Sequence, residues 1–280
     1  MFDHIIGNEK IKQELVQAVN QNKIAHSYLF IGTEGIGKKQ IAKEFAKMLL
    51  GDLNNNPDFQ MIEPEGLSIK IEQIRQMQKK IIEAPIKSTR KVYIIDDADL
   101  MTVEAQNCLL KTLEEPPEFA IIILIGSREN NFLSTIKSRC TIIKFQNIEN
   151  NQIKEYLKEK YQITDFSEEL LEVSGGSIGK AEQLKDKQEL YNVIFEIIDK
   201  IDKLDLIEVL KKANVIYKSQ EDIQVLLENI NVILFNKSKQ NIKFLNCIDI
   251  VEETKKRLNS NANYNMCIDN MLFNIWEEIH

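Results

Sequence analysis

Nowhere in the 280 residues does an apolar run approach the roughly 20 residues that a membrane-spanning helix needs. The opening stretch MFDHIIGNEK carries charges where a secretory signal would need an apolar core, so a cytoplasmic protein is expected. Cysteine is scarce, and the four positions Cys108, Cys140, Cys247 and Cys267 form no C-x-x-C pair. That spacing excludes a disulfide framework and a zinc knuckle and leaves buried free thiols. An excess of positive charge is missing too: 36 Lys and Arg against 43 Asp and Glu give a net charge of −7. A chain whose main task is to neutralise a long run of phosphates is thereby excluded, although a small basic patch is not. Repeats, charge blocks and low-complexity tracts are absent, and the asparagine cluster Asn54 to Asn56 reads as a loop tip.

What is present divides the chain. Up to about residue 146, short apolar runs rich in β-branched residues alternate with segments of helical period: YLFI (Tyr28 to Ile31), FQMI (Phe59 to Ile62), VYIID (Val92 to Asp96), AIIILIG (Ala120 to Gly126) and TIIKF (Thr141 to Phe145). Continuous rather than alternating apolar runs predict strands buried on both faces, hence a five-stranded parallel sheet between helices. Beyond Phe145 such runs cease. A small helical unit is expected over 147–187, where the Gly175-Gly176 pair breaks one helix and a following serine caps the next. An all-helical region is expected over 188–280, where Ile194, Ile197, Ile198 and Ile201 recur at helical spacing, as do Ile268, Met271, Leu272 and Ile275. Such stripes are the core-facing sides of helices, with oligomer contact as the alternative.

The stretch GTEGIGKK, Gly32 to Lys39, follows the strand YLFI and precedes the helical pattern IAKEFAKMLL. Strand, glycine loop and helix are the context of the phosphate-binding pattern G-x-x-x-x-G-K-[ST]. Backbone N–H groups around Gly32, Gly35 and Gly37 would face phosphate oxygens, and Lys38 would add a full charge. The eighth position departs from the pattern: Lys39 stands where a hydroxyl normally holds Mg²⁺, and an ammonium repels a cation. KVYIIDDADL ends a second strand in Asp96 and Asp97, at the carboxyl edge where open α/β sheets place ligands. Asp96 would hold a metal and Asp97 would polarise the attacking water, but Asp97 is one methylene shorter than the glutamate usual at that position. His4 and His26 lack triad or metal-ligand spacing and read as structural.

AQNCLLKTLEEPPEFAIIILIG, then SRC at Ser138 to Cys140, then SGGSIGKA closely resemble the AAA+ subunits of the bacterial replicative clamp loader over residues 1 to about 187. The resemblance implies an α/β AAA+ P-loop domain over 1–146, a helical lid over 147–187 and a helical collar over 188–280 that joins subunits into a ring. Within the family, GKK and Asp96-Asp97 depart from the ATP-hydrolysing motor form, while I-x-I-x-x-I-R in EPEGLSIKIEQIRQM resembles the delta prime form. With its short C-terminal third, the chain is expected to lack the polymerase-binding extension of the long motor form. The four-cysteine zinc module common in the family is missing, since MLLGDLNNNPDFQ runs through without cysteine, and no zinc is expected.

By this resemblance Arg139 is an arginine finger acting in trans on the γ-phosphate held by a neighbouring motor subunit; a local carboxylate is its alternative partner. Ser127 matches the polar sensor position and Lys180 the sensor arginine of the lid, either with reduced duty or as structural residues. The expected chain is a largely non-hydrolysing stator that holds ATP or ADP with little or no Mg²⁺. It would assemble with the motor and delta subunits, act on the sliding clamp indirectly and meet primed DNA through backbone phosphates alone. An active ATPase, the motor subunit itself, is the enzymatic alternative, and a nucleotide-independent scaffold is the other.

Overall fold

The computed structural model describes every residue except Met1, Asp3 and Asn261. The chain falls into two compact units, Met1–Gln162 with Gly176–Lys180, and Ile163–Gly175 with Ala181–His280.

The first unit runs α1 (Glu9–Asn20), β1 (Ser27–Ile31), α2 (Lys38–Leu50), β2 (Phe59–Ile62), α3 (Ile71–Ile81), β3 (Lys91–Ile95), α4 (Val103–Glu114), β4 (Ala120–Gly126), α5 (Ser134–Lys137), β5 (Thr141–Lys144) and α6 (Asn150–Tyr161). All five strands pair in parallel, in the order β2-β3-β4-β1-β5. Successive side chains of a strand point to opposite faces, so each central strand feeds two cores. Leu29, Tyr93, Ile95, Ile122 and Leu124 pack on one face with Ile74 and Met77 of α3 and Leu109 of α4. Tyr28, Phe30, Val92, Ile94, Ile121 and Ile123 pack on the other with Leu15 of α1 and Ile41 and Phe45 of α2. Each fully buried aliphatic or aromatic side chain contributes about 1.5–3 kcal/mol.

Every residue of β1, β3 and β4 is buried. The expectation of two covered faces fails at β5, where only Ile143 is half-buried and Thr141, Ile142 and Lys144 are exposed. It is an edge strand, paired only with β1 among the described residues, and its Lys144 suits an exposed edge.

The other edge strand, β2, is anchored by a buried carboxylate. Asp58, 1 % exposed, accepts 2.7 Å hydrogen bonds from the backbone N–H groups of Ile86, Lys87 and Ser88, fixing the loop that leads into β3. Burial would raise its pKa, but the three donors and the Lys91 ammonium outweigh burial and hold it below its ordinary value. This stabilisation is therefore complete above the ordinary carboxylate range and is lost as pH falls through the depressed folded-state value. Asp58→Ala removes the buried carboxylate that holds three part-buried backbone donors and is expected to cost about 1–3 kcal/mol in denaturant unfolding at neutral pH, with the deficit shrinking in acid.

The second unit is helical: α7 (Glu168–Ser174), the end of α8 (Ile178–Leu184), α9 (Gln188–Lys200), α10 (Leu206–Lys212), α11 (Asn214–Tyr217), α12 (Ile223–Ser238), α13 (Lys243–Asn259) and α14 (Tyr264–Ile279). Both predicted stripes are buried within it, Ile194, Ile197, Ile198 and Ile201 lying with Met271, Leu272 and Ile275 around one small apolar space. They are core rather than contact surface. The Trp276 indole donates to the Leu204 carbonyl (2.8 Å), and Asn229 Nδ2 donates to the Tyr191 hydroxyl (2.5 Å). No helix among the described residues is long and apolar enough to cross a membrane.

Candidate phosphate site and its displaced cation

The loop between β1 and α2 takes a shape that glycine alone accepts easily. Gly35 (φ +75°) and Gly37 (φ +94°) lie in the left-handed region, and Gly37 caps α2. Lys38 and the next residues of α2 have N–H groups with no acceptor inside the helix, and with the dipole they make this terminus receptive to an anion. Lys38 is 7 % exposed, and its ammonium folds back to donate to the carbonyls of Gly32 (2.5 Å) and Thr33 (2.8 Å). Two of its three protons are so used, which leaves one for a phosphate oxygen. Burial pushes the Lys38 pKa below its ordinary value, against the upward pull of Asp99, Asp97, Glu34 and Asp96.

The loop is braced from outside. The Gly179 N–H donates to the Gly35 carbonyl (3.0 Å), and the Thr33 hydroxyl donates to Asn147 Oδ1 (2.8 Å). A Cβ on Gly35 would lie 2.4 Å from Ser177 Oγ and 3.1 Å from Gly179 Cα. Ser177 is wholly buried and accepts from the Lys180 N–H (3.1 Å), capping α8, so Lys180 sits in a turn docked on the loop.

Asp96 follows β3 directly, and its N–H donates to the Ile62 carbonyl (2.9 Å) of β2. Parallel pairing of Ile62 with Ile95 brings Glu63 beside Asp96 at the carboxyl edge. Between these two carboxylates lies the Lys39 ammonium, 2.8 Å from Asp96 Oδ2 and 2.5 Å from Glu63 Oε1. Burial works against its charge, but the hydrogen bonds to Asp96 and Glu63 prevail and raise the Lys39 pKa above its ordinary value. Mg²⁺ requires near-octahedral oxygen at about 2.0–2.1 Å. With an ammonium hydrogen-bonded to Asp96, the residues present do not fit it, and among the described residues no group of three or more His, Cys, Asp or Glu is arranged to hold a metal ion.

Asp97 adopts a left-handed backbone (φ 47°) that presents it at the turn after β3. Burial raises its pKa, and the charges of Asp96, Asp99 and Glu34 add to that effect. Asp99 is a buried carboxylate of this edge that motif reading passes over. It is 6 % exposed and accepts from the Ser127 hydroxyl and the Arg128 N–H, both at 3.1 Å, tying the turn after β3 to the end of β4. Glu63 and Asn147 were also missed; the adjacency of β2 and β3 was the available signal for the first. The carboxyl edge thus unites Gly32, Gly35, Gly37, Lys38, Lys39, Asp96, Asp97 and Ser127, with Lys180 in the bracing turn. His26 stands apart, its Nδ1 3.1 Å from the Ala120 carbonyl at the other end of the sheet.

Arg139 does not join this site. It lies two residues before β5, whose Thr141 pairs with Tyr28 at the start of β1, whereas the loop begins after Ile31 at its end. At about 3.3 Å per residue, that register places Thr141 about 13 Å from Gly32 along the sheet, and Arg139 lies in the turn that leads into β5. Its guanidinium pairs with Glu114 Oε1 (2.6 Å) and donates to the Thr135 carbonyl (2.9 Å), with the side chain one-third exposed.

The family described as "DNA polymerase III, delta subunit" matches residues 7–149, just over half of the chain. The chain belongs to the clamp-loader AAA+ family of DNA polymerase III. Subunit delta′ of Bacillus subtilis is 30 % identical over 197 residues, 64 % of this chain and 60 % of the relative. Subunit gamma/tau of Mycoplasma pneumoniae is 32 % identical over 208 residues, 66 % of this chain and 30 % of the relative. The chain therefore matches between 30 % and 60 % of the length of these relatives. Among solved structures, a DNA polymerase III gamma subunit-related protein of Thermotoga maritima shares the fold, with TM-score 0.58 at 21 % identity over 95 % of this chain and 99 % of its own. That likeness in fold includes the C-terminal helices.

Proposed function

We propose that this chain is the delta prime type of clamp-loader subunit: it retains a nucleotide-binding fold, does not hydrolyse ATP, and lends Arg139 to the site of a neighbouring motor subunit. The observation that carries this reading is the Lys39 ammonium clasped by Asp96 and Glu63, where a hydrolysing site needs a divalent ion. Without that ion neither the γ-phosphate nor its leaving group is neutralised as phosphoryl transfer requires.

The position of Arg139 supports the second half of the proposal. Being at the amino edge of the sheet, it cannot reach phosphates held at the carboxyl edge of the same domain, and its ion pair with half-exposed Glu114 is of a kind worth only about 0–1 kcal/mol. A partner's phosphate can replace Glu114 at little cost, and a guanidinium offers it two parallel donors. The C-terminal helices leave Phe235 54 %, Ile242 71 % and Leu245 43 % exposed, apolar surface suited to subunit contact. In the assembled ring the chain would work with the motor and delta subunits, reach the sliding clamp indirectly, and touch primed DNA only through backbone phosphates.

The second reading, an active motor subunit, is favoured by the similarity to gamma and tau chains, including 36 % identity to tau of Bacillus subtilis over 54 % of this chain. Reconstitution with motor and delta subunits tests the proposal: Arg139→Ala should leave the complex assembled while DNA-stimulated ATPase falls. Unchanged turnover and clamp loading would remove Arg139 from this role.

A further inference from the structure

We propose that Lys39 is a tethered substitute for the divalent ion, so that this site binds the polyphosphate of ADP or ATP in its metal-free form and discriminates against the magnesium complex. The inference deepens the reading above, since it rests on the phosphate loop being retained for a ligand.

Three observations carry it. The Lys39 ammonium is anchored on two sides, to Asp96, whose side chain is 12 % exposed, and to Glu63. Its own side chain remains 40 % exposed, so its third proton is open toward a ligand. Secondly, the loop retains what phosphate needs, with left-handed Gly35 and Gly37, the start of α2 and the buried Lys38 ammonium. Thirdly, the edge is crowded with carboxylates: Asp96, Asp97, Asp99, Glu34 and Glu63 would repel an incoming polyphosphate. Lys39 answers the two that lie beside it. A magnesium ion arriving with its nucleotide would have to displace the ammonium from Asp96 and would meet a positive charge that cannot leave. The same lysine thus admits the bare anion and excludes the metal complex.

The test is equilibrium binding of a fluorescent N-methylanthraniloyl ADP to the full chain, in EDTA and in saturating Mg²⁺. The wild type is expected to bind in EDTA at least as tightly as in Mg²⁺. Lys39→Thr, which restores the hydroxyl, should reverse the preference, with Mg²⁺ tightening binding by roughly tenfold or more. Lys39→Met, with neither charge nor hydroxyl, should weaken binding in EDTA by roughly tenfold without gaining a magnesium response. Circular dichroism should show all three folded, because the Lys39 side chain is 40 % exposed and packs into neither core of the sheet. Wild-type binding that requires Mg²⁺, a Lys39→Thr profile like that of the wild type, or no wild-type binding in either buffer would each overturn the inference. None of these touches the role of Arg139, which the reconstitution with Arg139→Ala decides separately.

Discussion

Arg139→Ala, assembled with motor and delta subunits, is expected to lower the rate at the one motor site it serves by about 10³-fold or more, the lower end of what a trans arginine contributes to phosphoryl transfer. Sites served by other subunits would be spared, so total DNA-stimulated ATPase should fall by the share of that one site, and clamp loading with it. Arg139→Lys should restore little, because an ammonium cannot give the two parallel donors of a guanidinium. Glu114→Gln supplies the control that separates a finger from a local ion pair. If Arg139 serves only Glu114, both variants should behave alike, with small losses in stability and none in turnover. If Arg139 serves a partner, Glu114→Gln should leave turnover intact while Arg139→Ala removes the contribution of the one site it serves.

Gly35→Ala is expected to destabilise the α/β unit by about 2–4 kcal/mol and to abolish nucleotide binding, although it adds a single methyl group. Two effects combine. The residue lies at φ +75°, where an L side chain is strained, and the new Cβ would meet Ser177 Oγ at 2.4 Å and the Gly179 backbone at 3.1 Å. Ser177 is buried and engaged in capping α8, and a backbone atom cannot rotate aside, so the loop itself must shift. Gly35→Ala/Ser177→Ala would relieve the closer contact and not the second; it should regain part of the stability. Denaturant midpoints of the two variants, measured beside fluorescent nucleotide binding, check both statements.

Much of this architecture was legible in the residues because the physics is local. Runs such as AIIILIG have no polar position to offer solvent, so β4 had to be covered on both faces, and it is. The loop was legible because glycine at positions 35 and 37 reports left-handed backbone, which is what the structure contains. Composition failed at the edge: TIIKF reads like a central strand, but β5 is last in the sheet and leaves Ile142 exposed, since order across a sheet is a property of topology. In the sequence Lys39 reads as an absence, the hydroxyl that would hold Mg²⁺ replaced by an ammonium that repels it. Only the pairing of β2 with β3, which brings Glu63 beside Asp96, reveals it as a bound ammonium. Asp99 was hidden for a related reason, since its partners Ser127 and Arg128 lie 28 and 29 residues away along the chain. The change in composition falls near residue 146, whereas packing groups 147–162 and Gly176–Lys180 with the sheet, because that turn braces the phosphate loop.

The most direct measurement is steady-state ATP hydrolysis by the purified chain alone, in saturating Mg²⁺. With the Lys39 ammonium lodged between Asp96 and Glu63, release of phosphate should not rise above the protein-free rate. Turnover at about 1 s⁻¹ or faster, the range of ordinary enzymes, would mean that a divalent ion displaces Lys39 and that the chain is a motor in its own right.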